Sequence, residues 1–108
     1  RGIDVGILSR FPISSMRSHI TDLGSKGTRV FARDCPVYIV EVRPGVEIAI
    51  VPNHFTSQGS KGSGPRRKDQ ASRVAEIYKE LRKDFKLVVV SGDLNEAPSG
   101  GNLDPLLK

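Results

Sequence analysis

The residues of this chain best suited to chemistry follow an apolar run near its end. Asp93 and Asn95 come shortly after the run 87–90, and Gly92 lets the backbone turn there. If the segment stays extended, residues two apart point the same way, so a carboxylate and a carboxamide converge on one metal ion or phosphate. The alternative is a simple Asp/Asn turn closed by Pro98.

A histidine occupies a similar place after a second apolar run. Residues 46–52 are strongly apolar, and the polar pair Asn53 and His54 follows at once. A single His after a strand is more often an ordinary loop residue than a site residue. Brought to the same place as the Asp93 and Asn95 side chains, however, it forms a less ordinary combination.

The segment between these two apolar runs predicts that the polar residues at their ends lie close together. Residues 66–84 place apolar side chains at helical spacing, which predicts an amphipathic helix. A strand, a helix and a second strand form a crossover unit, which makes the two strands parallel and opens both strand ends on one edge of the sheet. We therefore expect His54 and Asp93 to be neighbours. The apolar residues of the helix period are Val74, Ile77, Tyr78, Leu81 and Phe85.

The rest of the chain predicts a mixed sheet of the α/β class. Pro44 and Gly45 form a tight turn that joins two strands into an antiparallel hairpin. Residues 58–65 are rich in Gly and Ser and form a flexible connector, or alternatively a loop that closes over a substrate. His19 lies in a polar stretch and is predicted to be a surface residue. Further strands are predicted at residues 3–8, 28–32 and 37–42.

Four segments of the chain resemble, in order, the endonuclease/exonuclease/phosphatase superfamily, whose fold is that of pancreatic deoxyribonuclease. The Asn-His-Phe form of the His segment is similar to the branch that contains secreted bacterial nucleases, in which an Arg-x-x-x-Gln-Ala-like helix also follows. The fold implied is a deoxyribonuclease-like α/β sandwich with a mixed sheet and one crossover helix. The matching segments are residues 6–13, Arg33 with strand 37–42, Asn-His-Phe-Thr-Ser at 53–57 and Gly-Asp-Leu-Asn-Glu-Ala-Pro at 92–98.

The resemblance implies a role for each matched residue in the cleavage of phosphate esters by water. Asp93 would bind Mg²⁺, or Mn²⁺ or Ca²⁺ in its place, or position the attacking water. Asn95 would orient the phosphate or the nucleophile, and His54 would contact the scissile phosphate. Arg33 and Asn53 would bind phosphate oxygens, although a solvated charge at a strand end is an equal alternative for Arg33.

The resemblance also implies that part of the site lies outside residues 1–108. In this superfamily an Asn and a metal-binding Glu come from the N-terminal part of the domain, and an Asp-His pair comes from near its C-terminal end. None of these is found here, so we expect a single central fragment of the domain whose isolated activity is lost. Glu96 has no clear counterpart and is left outside the site. The basic residues 66–68 could touch a nucleic-acid backbone.

Composition agrees with an anionic partner without selecting one. Seventeen Lys and Arg against twelve Asp and Glu give a net charge of +5, which favours polyanions such as nucleic acid. With one Cys and two His, a structural zinc site and an internal disulfide are excluded, and Cys35 is expected to pack as a small apolar residue.

No apolar stretch reaches the roughly 20 residues that span a membrane. The compartment stays open, and the resemblance to secreted nucleases keeps secretion among the alternatives. No phosphate loop of the Gly-x-x-x-x-Gly-Lys type and no Gly-x-Ser-x-Gly elbow is present, which argues against nucleotide triphosphatases and serine hydrolases. The sequence therefore predicts a metal-dependent phosphodiesterase acting on nucleic acid, with no firm protein partner. The alternatives are an inositol-phosphate or phospholipid enzyme of the same fold, and a non-catalytic basic binding module.

Overall fold

A computed structural model describes residues 5–24, 27–59 and 61–107. Within them, four strands form one sheet in the order β1-β2-β3-β4, and a long helix connects the last two strands. A 3₁₀ turn at Pro98–Gly100 and a short helix follow β4. The elements are β1 (Ile13–Arg17), β2 (Val37–Arg43), β3 (Val46–His54), α1 (Ser63–Leu81), β4 (Val88–Asp93) and α2 (Asp104–Leu107).

The sheet is mixed, as the sequence predicts. β1 and β2 pair antiparallel, and β2 and β3 form the predicted hairpin. Gly45 has a φ of 77°, a left-handed conformation that glycine adopts without steric cost, so it closes this turn. β3 and β4 pair in parallel through the α1 crossover. The α/β class and the crossover are therefore confirmed.

The core lies between α1 and one face of the sheet. Ala71 and Val74 on the helix are fully buried, and so are Ala49 and Val51 on β3. Phe55, directly after β3, is 1% exposed and belongs to the same apolar cluster. Because side chains alternate along a strand, every second residue of β3 from Ala49 onward is buried on the side of the helix.

Two predicted strands are wrong. Residues 3 and 4 lie outside the described residues, while residues 5–8 form no strand, and residues 28–32 contribute only an isolated bridge between Leu23 and Arg29. The first strand is instead Ile13–Arg17, whose five residues are all exposed. Its backbone is held by antiparallel pairing with β2, a long-range effect that its own mixed sequence does not indicate.

His19 is buried, at 8% exposure, and the prediction of a surface residue is wrong. Its Nδ1 lies at hydrogen-bond distance, 2.9 Å, from the carbonyl O of Cys35, and its backbone N–H donates to Asp34 Oδ1 at 2.8 Å. Cys35 is itself fully buried, as expected, and burial raises the pKa of its thiol to about 12. Both the buried imidazole and the backbone N–H of His19 therefore have polar partners in the segment just before β2.

Candidate active site

The parallel register of β3 and β4 sets His54 directly opposite Asp93, which confirms that the two are neighbours. His54 Nε2 lies 3.8 Å from Asp93 Oδ2, a separation longer than a hydrogen bond. The side chains are 32% and 65% exposed, so both reach solvent. An imidazole and a carboxylate thus stand side by side where the parallel strands β3 and β4 end.

The strand ends approach each other closely because of Gly92. Its φ is +119°, and a Cβ at this position would collide with the backbone carbonyl O of Asn53 on the neighbouring strand. Only glycine avoids both the backbone strain and the collision. Gly92 therefore allows Asp93 to follow the sheet to its last paired position beside His54.

Asn95 lies in a left-handed turn with a φ of 54°. Its backbone N–H donates to Asp93 Oδ1 at 2.9 Å, and its side-chain Nδ2 donates to the Phe55 carbonyl at 2.8 Å. The predicted Asp/Asn turn and the predicted proximity to His54 are thus both present. Asp93 Oδ1 accepts the hydrogen bond of the turn, and Asp93 Oδ2 is the oxygen nearest to His54. The Asn95 amide ties together the two loops that follow β3 and β4, here named the His loop (residues 53–57) and the Asp loop (residues 93–97).

Asn53 is placed apart from the exposed pair. It is 3% exposed and alternates with His54 along β3, so it shares the helix-facing side with Val51, to whose carbonyl its Nδ2 donates at 2.9 Å. Its Oδ1 is buried and has no hydrogen-bond partner among the described residues. Phosphate binding by Asn53 remains a prediction, and this buried conformation does not favour it.

Arg33 is half-buried and precedes β2. Because β2 runs antiparallel to β3, the start of β2 lies at the same edge of the sheet as the end of β3. Arg33 makes no hydrogen bond or ion pair with the described part of the chain that would commit its guanidinium. Its side chain is available at the correct edge, and its phosphate-binding role remains a prediction.

A buried ion pair, not expected from the sequence, lies behind the two loops. Arg67 Nε donates to Glu96 Oε1 at 2.8 Å, and the two side chains are 7% and 5% exposed. Glu96 also accepts the Asn102 backbone N–H at 2.8 Å and its side-chain Nδ2 at 3.0 Å. The hydrogen bonds from Arg67 and then from Asn102 lower the pKa of the Glu96 carboxyl.

Arg67 therefore does not belong to a solvated basic cluster with its neighbours in sequence. Arg67, Gln70 and Val74 recur at helical spacing and are all buried on one face of α1. This spacing is the sequence signal for burial, and it is easily missed because two of the three residues are polar.

A cleft with basic side chains lies at the start of α1. Its volume is about 210 Å³, and its lining includes Arg29, Lys61 and Arg66 together with the acidic residue Asp69. Gly62 caps the helix without a side-chain hydrogen bond, and the first turn holds no acidic residue. This basic cleft has the charge expected of a surface that binds phosphate groups.

The candidate site fits a partial magnesium site. No group of three or more His, Cys, Asp or Glu side chains in the described ranges could hold a metal ion by itself. Mg²⁺ nevertheless keeps several waters and commonly takes only one or two protein carboxylates with substrate phosphates. The solvent-facing carboxylate of Asp93 fits one such ligand.

None of the described helices has the length and apolar character needed to cross a membrane.

No protein-family model and no curated protein sequence matches this chain, but solved structures do. Beta toxin from Staphylococcus aureus, solved with bound magnesium ions, has a TM-score of 0.68 at 19% identity, over 92% of this chain and 36% of the toxin. The human Nocturnin catalytic domain, solved with a sulfate anion, has a TM-score of 0.68 at 16% identity, over 88% and 34%. Sphingomyelinase C from Streptomyces griseocarneus has a TM-score of 0.64 at 17% identity, over 92% and 35%.

These neighbours all have the endonuclease/exonuclease/phosphatase fold. The chain has this deoxyribonuclease-like α/β fold, as its motifs indicate. It spans about a third of the length of the structures it matches.

Proposed function

We propose that this chain belongs to a metal-dependent phosphodiesterase that hydrolyses nucleic acid. The observation that carries the proposal is the juxtaposition of His54 and Asp93, 3.8 Å apart, at the open end of a sheet with this fold. The beta toxin structure holds magnesium and the Nocturnin structure holds sulfate, an anion that resembles phosphate, which supports metal and phosphate chemistry on the shared fold.

Each residue of the pair has a part in the proposed reaction. Asp93 would hold the metal ion, Mg²⁺ or else Mn²⁺ or Ca²⁺, through the carboxylate that also accepts the Asn95 N–H. A bound metal ion supplies positive charge that offsets the charge developing on the phosphate oxygens. His54 would contact the scissile phosphate, and Arg33 would bind a further phosphate oxygen through its planar guanidinium. Asn95 would keep Asp93 in position by closing its turn.

The basic cleft supports nucleic acid as the substrate class. Arg29, Lys61 and Arg66 line it at the start of α1, and the chain carries a net charge of +5. A polymer with one phosphate per nucleotide can contact such a cleft while another phosphate lies at His54. A lipid or inositol phosphodiesterase is the second candidate, and the likeness to sphingomyelinase C favours it.

The site described here is one part of the proposed active site. In the superfamily that the motifs resemble, further metal-binding and catalytic residues come from the N- and C-terminal parts of the domain. We therefore propose that residues 1–108 form the central fragment of such a domain and contribute His54, Asp93, Asn95 and Arg33 to its site.

Nicking of supercoiled plasmid tests the proposal directly. The full-length protein is incubated with plasmid in Mg²⁺ or in EDTA, alongside the 108-residue chain and the His54→Ala variant. We expect Mg²⁺-dependent nicking by the full-length protein that disappears in EDTA and in the variant. Lys79→Ala, a change on the exposed side of α1, serves as the matched control and keeps wild-type activity.

A competition assay then separates the two candidate substrates. Hydrolysis of a soluble chromogenic phosphodiester is measured with added oligonucleotide or with sphingomyelin vesicles. A nuclease is inhibited by the oligonucleotide, whereas a lipid enzyme is inhibited by the vesicles. Absence of metal-dependent turnover of both the plasmid and the chromogenic phosphodiester would leave only the binding module and refute the proposed hydrolysis.

A further inference from the structure

The first two turns of α1 are bonded to both loops that carry the candidate site. The His loop and the Asp loop follow different strands, and α1 packs behind both of them. Two polar side chains of the helix, Arg67 and Gln70, are 6% and 1% exposed; Arg67 bonds to both loops and Gln70 to the His loop. Polar side chains this deeply buried need full hydrogen bonding to be tolerated.

Arg67 bonds to one residue in each loop at the same time. Its Nε donates to Glu96 of the Asp loop at 2.8 Å, and its Nη1 donates to the Thr56 carbonyl of the His loop at 3.3 Å. The planar guanidinium fixes the angle between its donors, so the two loops are held in a fixed relation.

Gln70 completes the attachment one helical turn later. Its Oε1 accepts the Thr56 backbone N–H at 3.0 Å, while its Nε2 donates to Thr56 Oγ1 at 3.0 Å and to the Val30 carbonyl at 3.1 Å. Thr56 thus has its N–H, its carbonyl and its hydroxyl bonded to α1. It lies two residues from His54, so little freedom remains between the anchored residue and the imidazole.

From these contacts we infer that Arg67 and Gln70 are positioning residues, which set the relation between His54 and Asp93 by joining the two loops to α1. The inference rests on the proposed function for its catalytic meaning. The hydrogen bonds described for Arg67 and Gln70 go to neither His54 nor Asp93. A displacement of about 1 Å between catalytic groups can lower a rate by about 10²-fold, so rigid anchoring of both loops directly affects turnover.

The chain offers a control for Arg67 that is matched in chemistry, although its side chain is more exposed, 33% against 7%. Arg73, on the same helix, also donates Nε to a carboxylate, Asp22 Oδ2, at 2.7 Å, and Nη1 to a second acceptor, Glu76 Oε1, at 3.0 Å. Its partners belong to neither loop. A lysine has one ammonium centre and cannot reproduce either two-donor arrangement, so Arg67→Lys and Arg73→Lys make the same chemical change at two places.

Steady-state kinetics and amide hydrogen exchange on the full-length protein test the inference. We expect Arg67→Lys and Gln70→Met to lower kcat by about 10²-fold with KM nearly unchanged, and Arg73→Lys to leave kcat within about twofold. The amides of Phe55 and Asn95, which donate to Asp93 but not to α1, should exchange faster in the Arg67 and Gln70 variants only. Retention of exchange protection across β2 and β3 shows that these variants are folded.

The outcomes separate this inference from the proposed function. If the wild-type protein hydrolyses no phosphodiester, the proposed function fails, and selective exchange at Phe55 and Asn95 still decides whether the two loops are positioned by α1. Equal kcat for Arg67→Lys and Arg73→Lys in an active protein would overturn the inference. So would exchange that rises uniformly over the sheet, because that result assigns Arg67 a general stabilising role.

Discussion

The two faces of the sheet differ in what covers them. On the face beneath α1, Ala49 and Val51 are fully buried, whereas on the opposite face Val40 of β2 is buried but Val89 of β4 is 37% exposed. Since side chains alternate along β3, Asn53 falls on the covered face and His54 on the open one, together with its partner Asp93. The covered face anchors the strands, and the open face presents the polar pair. A shift of β3 by one residue would exchange these roles.

The largest expected effect comes from the polar pair on the open face. Asp93→Asn removes a charged metal ligand but keeps the size of the side chain, so we expect a loss in kcat/KM of about 10³-fold or more. Because Asp93 is exposed, the free energy of unfolding should change by no more than about 0.5 kcal/mol. Asp84→Asn, which alters an exposed carboxylate just after α1, is the control and should retain activity. A large loss of unfolding free energy in the Asp93 variant, with activity intact, would reverse the assignment of the two faces.

The contrast in burial can be tested with two truncations. Phe55→Ala removes a ring that is 1% exposed on the covered face, and we expect it to lower the free energy of unfolding by about 3–5 kcal/mol. Val89→Ala on the open face should cost less than about 1 kcal/mol. Denaturant titration of both variants measures the difference. Similar losses of unfolding free energy in the two variants would mean that the open face is also covered in the purified protein.

The Arg67–Glu96 ion pair predicts a loss of stability in acid. Since the pKa of Glu96 is lowered in the folded protein, the contribution of the pair is fully present above the ordinary Glu value of about 4.3 and is lost as the pH falls through the lower folded value. Glu96→Gln should therefore flatten the fall of the unfolding midpoint below that pH. The same slope in wild type and variant would show that other carboxylates control acid unfolding.

The smallest effect concerns the thiol of Cys35 on the covered side. Because the thiol is fully buried and its pKa is raised to about 12, we expect almost no reaction with a disulfide reagent at pH 8 in the folded protein. Full reaction should appear in denaturant. Rapid labelling of the folded protein would show that the region before β2 opens readily.

The crossover unit of β3, α1 and β4 is predictable because its signals are local. The apolar runs of β3 and β4 and the helical period of α1 fix the crossover, and the crossover fixes the meeting of His54 with Asp93. β1 is not predictable in this way because its residues are all exposed and mix apolar with polar side chains, so pairing with β2 is what makes them a strand. The superfamily resemblance supplied chemical roles that the geometry alone does not assign.

The polar contacts behind the site were not predictable in the same way. Arg67 and Gln70 carry side chains that normally face solvent, and their burial depends on partners far along the chain, at Glu96, Thr56 and Val30. His19 was assigned to the surface for the same reason, since its partner, the Cys35 carbonyl, is distant in sequence. The charge and polarity of a side chain indicate what its burial costs, but the hydrogen bonds that offset this cost can be identified only from the structure.

The parallel pairing of β3 with β4 also fixes when the site can exist. His54 ends one strand and Asp93 ends the other, with all of α1 between them. Pairing of segments this far apart requires the intervening chain to be closed into a loop, a step that sequence-distant contacts make slow. A chain still emerging from the ribosome therefore carries the histidine without its carboxylate, and the pair appears only when the last strand has docked.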